Sequence, residues 1–103
     1  METQYINKSS LSLQDILQWI DSHSEEAENL DCTHFEVKSD PFATFYIASM
    51  WVQGLEKVTD LDLCKDKTFE DAGDGWITTY AEFNSWLCYK EGRLFYISRH
   101  YLR

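Results

Sequence analysis

The hydrophobic rhythm of this chain changes once, and that change restricts the fold more than any other feature. Leu13, Ile16, Leu17 and Ile20 fall at i, i+3, i+4 and i+7, one apolar stripe on a 3.6-residue period. Ser12 stands where an N-cap belongs, with Asp15 placed to close a capping box and Leu11 and Ile16 placed as a hydrophobic staple. The pattern predicts an amphipathic helix from Leu13 to Asp21 or His23, with Trp19 beside its stripe. A polar, acidic stretch follows from Ser22 to Asp31. From Phe35 onward the period is two: Phe35 and Val37 alternate with Glu36 and Lys38.

Strands fill the rest. Asp40-Pro41 is a turn signal, and Phe42 to Val52 is a long aromatic and β-branched run suited to a central strand paired with 34–38. Trp76 to Phe83 reads as a strand ended by an Asn84-Ser85 turn. Trp86–Tyr89 and Leu94–Ile97 flank Lys90-Glu91-Gly92-Arg93, whose glycine supplies the positive φ of a tight hairpin. Residues 54–75 are the least legible, with scattered leucines, many acids and a loop-like Ala72-Gly73-Asp74-Gly75 end. The expectation is an α+β fold: an N-terminal amphipathic helix packed on a curved, mostly antiparallel sheet of about five strands. At 103 residues the chain is one domain, spanning 1–103, with a single modest core.

Charge decides which partners suit such a domain. The formal net charge is −9. Residues 1–40 carry nine acids against Lys8 and Lys38, and residues 41–75 carry seven against Lys57, Lys65 and Lys67. From 76 onward two acids meet four bases, so the acidity is concentrated in the first three-quarters of the chain. A phosphate backbone is repelled by that balance, as is an anionic membrane surface. A basic protein is the natural complement, because opposite potentials accelerate encounter. Acidity that merely keeps a small domain dissolved is the plain alternative.

Cys32, Cys64 and Cys88 are widely spaced and odd in number, the pattern of free thiols in a reducing cytoplasm. The start Met1-Glu2-Thr3-Gln4-Tyr5 has neither the basic nor the apolar segment of a targeting peptide. No run approaches the ~18 apolar residues of a membrane span. A cytoplasmic protein is expected, monomeric or weakly dimeric.

Catalysis finds little to work with. Cys32 and His34 are the one close pair of soft ligands, whereas zinc takes four. Asp60, Asp62 and Asp66 lack the glycine and terminal glutamate of a calcium loop. No nucleophile elbow, metallopeptidase or phosphate-loop motif is present. Neither a metal nor a cofactor is expected, and the protein is read as a binder, not an enzyme. Its aromatic content, 16% of residues, exceeds what one helix and one sheet readily hide. Rings ringed by charge are typical interface anchors. The candidate partner-binding residues are therefore the acids Glu25, Glu26, Glu28, Asp31, Asp60, Asp62, Asp66, Glu70, Asp71 and Asp74, together with Trp51, Trp76, Trp86 and Tyr89. Some of these four rings and Tyr96 are expected on the open sheet face.

Three stretches carry a family likeness: Leu17-Gln18-Trp19-Ile20, Asp40-Pro41-Phe42, and Trp86-Leu87-Cys88-Tyr89-Lys90-Glu91-Gly92-Arg93-Leu94-Phe95. Their order resembles bacterial immunity proteins of polymorphic toxin and contact-dependent inhibition systems, in particular the immunity family numbered fifty-three. The resemblance implies a protein that neutralises a cognate toxin domain, often a nuclease, by filling its basic active site. It assigns no individual binding residue. Two other readings share the acidity: a phage-type nucleic-acid mimic that blocks a restriction or CRISPR enzyme, and a non-catalytic adaptor domain.

Overall fold

A computed structural model describes residues 3–5, 12–23, 34–38, 43–80 and 84–101. The fold is α+β, built on an open, mainly antiparallel sheet. Its strands are β1 (Thr3–Tyr5), β2 (His34–Lys38), β3 (Ala43–Trp51), β4 (Glu70–Gly73), β5 (Trp76–Tyr80), β6 (Ser85–Lys90) and β7 (Arg93–Tyr101). They lie in the order β1-β2-β3-β7-β6-β5-β4. Among the described strands only β1 runs parallel to its neighbour, β2. The five expected strands form, as β2, β3, β5, β6 and β7, and the described residues add two more. The additions are β1 and β4, short edge pieces whose sequences carry no clear alternation.

The Lys90-Glu91-Gly92-Arg93 turn forms as its residues require, while Asp40-Pro41 lies outside the described residues. At the β6–β7 hairpin Lys90 pairs with Arg93, and Glu91 and Gly92 take φ of 48° and 85°. These are the two left-handed residues of a type I′ turn. Asn84 precedes β6 at φ 64°, a conformation asparagine tolerates well. The 72–75 stretch departs from its loop-like reading. Ala72 and Gly73 end β4, and Asp74 and Gly75, at φ 48° and 82°, turn the chain into β5.

The sheet has two faces, and the chain covers them with different material. On the first lies α1 (Leu13–Ser22), capped by Ser12, whose Oγ accepts from the Asp15 N–H while the Asp15 carboxylate accepts from the Ser12 N–H. Ile16, Leu17 and Ile20 of α1 are buried with Phe45, Ile47, Trp76, Trp86, Cys88, Phe95 and Ile97. Asp21 pins the end of this helix. Its carboxylate accepts from Trp76 Nε1–H at 3.1 Å and from Lys90 Nζ at 2.9 Å. The Lys90 ammonium in turn lies 5.2 Å from the centre of the Trp76 ring.

The topology dictates what covers the second face. β3 sits beside β7, yet the next strand in sequence, β4, is the far edge of the sheet. The connection must cross four inter-strand steps, about 19 Å at ~4.8 Å each. It crosses opposite α1, as a short helix α2 (Leu55–Thr59) followed by successive turns closed by the Leu61 N–H to Val58 carbonyl, Cys64 to Leu61 and Lys67 to Cys64 bonds. Val58 and Cys64 are buried there against Leu87 and Leu94, with Val52, Leu55, Leu61, Phe69, Tyr89 and Tyr96 packed around them. The Cys64 thiol donates to the Val58 carbonyl. Residues 54–69 carry no regular period because they are a strap, anchored wherever a side chain drops onto the sheet.

Candidate acidic and apolar docking groove

The strap does not cover the second face completely. Along β3 side chains alternate: Phe45, Ile47 and Ser49 share the α1 side with the paired Arg99, Ile97 and Phe95, while Ala48 and Met50 share the other with Tyr96 and Leu94. Between that second set and the strap lies a groove of about 350 Å³, lined by Ala48, Ser49, Met50, Leu61, Asp62, Leu63, Leu87, Leu94 and Tyr96. Met50 and Leu63, 38% and 41% exposed, form its lips. Both are large apolar side chains that folding alone would hide.

Among the described lining residues, Asp62 supplies the one charged side chain. Asp60 and Asp66 are exposed on the same strap, interleaved with exposed Lys65 and Lys67. Glu70 and Asp71 project from β4, and Asp74 lies in the turn after it, all exposed. Of these six acids Asp62 stands at the groove, while Asp66 and Glu70 line, with Ser12, Thr78 and Arg99, a cleft on the α1 side of the sheet. The β4 edge is about 19 Å from β3, beyond the ~8 Å screening length at physiological salt. Glu70, Asp71 and Asp74 are therefore screened from a charge in the groove, and Asp62 is the acid that acts on its occupant.

The rings are distributed differently from expectation. Trp76 and Trp86 are core residues, 2% and 6% exposed, and are not available to a partner. Their positions in the sheet explain this. Trp76 pairs across β4–β5 with Gly73, which offers no side chain, and its ring meets Phe95 at 5.2 Å on the side covered by α1. Trp86 faces the same way, cross-strand to Ile97, with the Arg99 guanidinium 5.3 Å from its ring centre and Tyr80 at 5.6 Å. Tyr89 is half-buried under the strap. Trp51 is exposed at 59%, but alternation turns it to the side opposite Met50, where Arg93 stacks 4.8 Å from its ring centre. Tyr96 is half-buried and lines the groove. Glu25, Glu26, Glu28 and Asp31 lie outside the described residues.

The apolar lining was missed from sequence. Ala48 and Met50 sit within a uniformly apolar run, where alternation does not separate core from surface. Leu61-Asp62-Leu63 was the available signal: two leucines flanking an acid, with Leu61 turned inward and Leu63 outward. The described thiols, Cys64 and Cys88, offer little chemistry, and Cys32 lies outside the described residues. Cys88 is fully buried on the α1 side and accepts or donates at 3.3 Å to Thr78 Oγ1; burial pushes its pKa from 9.0 up to about 12. Among the described residues no cluster of three or more His, Cys, Asp or Glu side chains is arranged to hold a metal ion, and no helix is long and apolar enough to cross a membrane.

No family model, curated protein sequence or solved structure matches this chain.

Proposed function

We propose that the protein is a non-catalytic inhibitor of the immunity type, which binds a basic toxin domain made by the same bacterial cell and occludes it in the cytoplasm. In this reading the N-terminal helix backs one face of a curved sheet and leaves the strap face to the partner. The observation that carries it is an exposed apolar groove with the exposed carboxylate of Asp62 on its wall, in a chain of net charge −9. A nuclease active site is positive because it grips phosphates. Carboxylates on the strap steer such a site toward the groove, and apolar contact there slows its release. The buried Trp76 and Trp86 take no part, so the anchoring contacts pass to Met50, Leu63 and Tyr96.

The test is co-expression with the product of the adjacent reading frame. The reading requires a complex that survives purification and a host that grows only when this protein is present. Separate migration of the two proteins with undiminished toxicity would reject it.

A further inference from the structure

We infer that the groove is a socket for one large apolar side chain of the partner, presented by a basic segment whose adjacent Lys or Arg pairs with Asp62. This deepens the inhibitor reading and rests on it. The volume of about 350 Å³ is at the small end of ligand sites, which run roughly 300–1,000 Å³. It suits a leucine, phenylalanine or tryptophan side chain, not a nucleotide or cofactor. The sheet contributes apolar floor: Ala48 leaves space where any larger residue would fill it, and Leu94 and Tyr96 wall the side. Ser49 brings no hydroxyl to the socket, because its Oγ accepts from Arg93 Nη2 at 2.9 Å on the other face. Met50 and Leu63 are unbranched at Cβ, and the methionine thioether adapts to differently shaped guests.

Charge selects among apolar guests. Asp62 is exposed, lines the socket, and makes no salt bridge with the described residues. Asp60, two residues before it on the same turn, adds a second negative charge, and the whole chain carries −9. An apolar group attached to a cation is favoured, and one attached to an anion is repelled. A single exposed ion pair contributes about 0.2–1 kcal/mol, so exchanging attraction for repulsion separates the two guests by roughly 2- to 30-fold.

The probes are 4-phenylbutylammonium and 4-phenylbutyrate, the same apolar body with opposite charge. Each is titrated into the full chain and followed by methyl NMR. The expected result is saturable shifts at Met50, Leu63 and Leu94 with the cation, at least about twofold tighter than with the anion. Asp62→Asn should narrow the difference between the two probes, and Ala48→Phe should abolish the shifts. Equal affinities in the wild-type protein, shifts centred elsewhere, or no saturable binding would overturn the inference. If Ala48→Phe fails to fold, Asp62→Lys is decisive, since it must reverse the preference. The two levels separate cleanly: a toxin complex untouched by Ala48→Phe sinks the socket alone, whereas cation binding without a toxin complex sinks the inhibitor reading alone.

Discussion

Replacing Asp21 by alanine tests how firmly α1 is held, because one carboxylate joins two side chains of the sheet to the helix end. It accepts from the indole N–H of Trp76, a side chain only 2% exposed, and from Lys90, which also lies over the same ring. Removing it strands the indole donor against the helix end. A buried donor left unmade costs about 1–3 kcal/mol, and partial access of water past Asp21 places this one near the lower end. The ion pair adds less. Its side chains are 23% and 39% exposed, so solvent screening holds it to roughly 0.2–1 kcal/mol. The sum is about 1.5–2.5 kcal/mol, a fall of roughly 6–15 °C in melting temperature for a domain of this size.

Asp21→Asn separates the contributions. Its amide oxygen still accepts from Trp76 but no longer carries charge for Lys90, so it should lose under about 1 kcal/mol. The assay is equilibrium urea unfolding read by tryptophan fluorescence, with the slope of the transition serving as a control for a change in the unfolded state. Asp21→Ala should lower the midpoint at unchanged slope, and Asp21→Asn should lower it by less than half as much. Equal midpoints for the wild type and Asp21→Ala would mean that α1 does not rest on Trp76, and the description of the first face would fail.

Two further perturbations probe other parts of the fold. Cys88 is a thiol whose pKa is raised in the folded state, so the native protein holds its proton to higher pH than the unfolded chain does. Its contribution to stability is complete below pH 9 and is lost as pH climbs from 9 toward 12, with a slope of up to about 1.4 kcal/mol per pH unit. Cys88→Ala should flatten the alkaline limb of the stability profile by that amount, and an unchanged limb would contradict the assigned burial. Gly92→Ala places a side chain at φ 85°, with its Cβ 3.8 Å from the Trp51 ring, so backbone conformation and not space sets the penalty. It should destabilise by about 1–2 kcal/mol in the same urea assay, and a neutral result would refute the type I′ turn.

The parts of the fold legible in the sequence were those with local, self-sufficient signals. Lys90-Glu91-Gly92-Arg93 determines its hairpin without reference to the rest of the chain, and the aromatic run of β3 is long enough to exclude most alternatives. The strap was illegible for the opposite reason. Its course follows from β7 inserting next to β3, a long-range pairing that leaves β4 on the far edge and obliges residues 52–69 to cross the sheet. The same fact governed the site. The acids of 60–74 were correctly placed at the surface, because isolated carboxylates are costly to bury. The tryptophans were misassigned because composition gives the number of rings but not the face each one occupies. Trp76 and Trp86 follow the parity of Phe95 and Ile97, and that parity becomes readable only once the strand register is known.

The strap acids are the part of the account on which a functional role most depends, and the rate of capture reports on them directly. Stopped-flow association with the adjacent gene's product, measured across a salt series for the wild type and for Asp60→Asn/Asp62→Asn/Asp66→Asn, isolates their effect. The wild-type rate constant should drop steeply as salt rises, and the triple variant should associate more slowly with a distinctly shallower salt dependence. Identical salt slopes for the two proteins would contradict an electrostatically guided docking face on this side of the sheet.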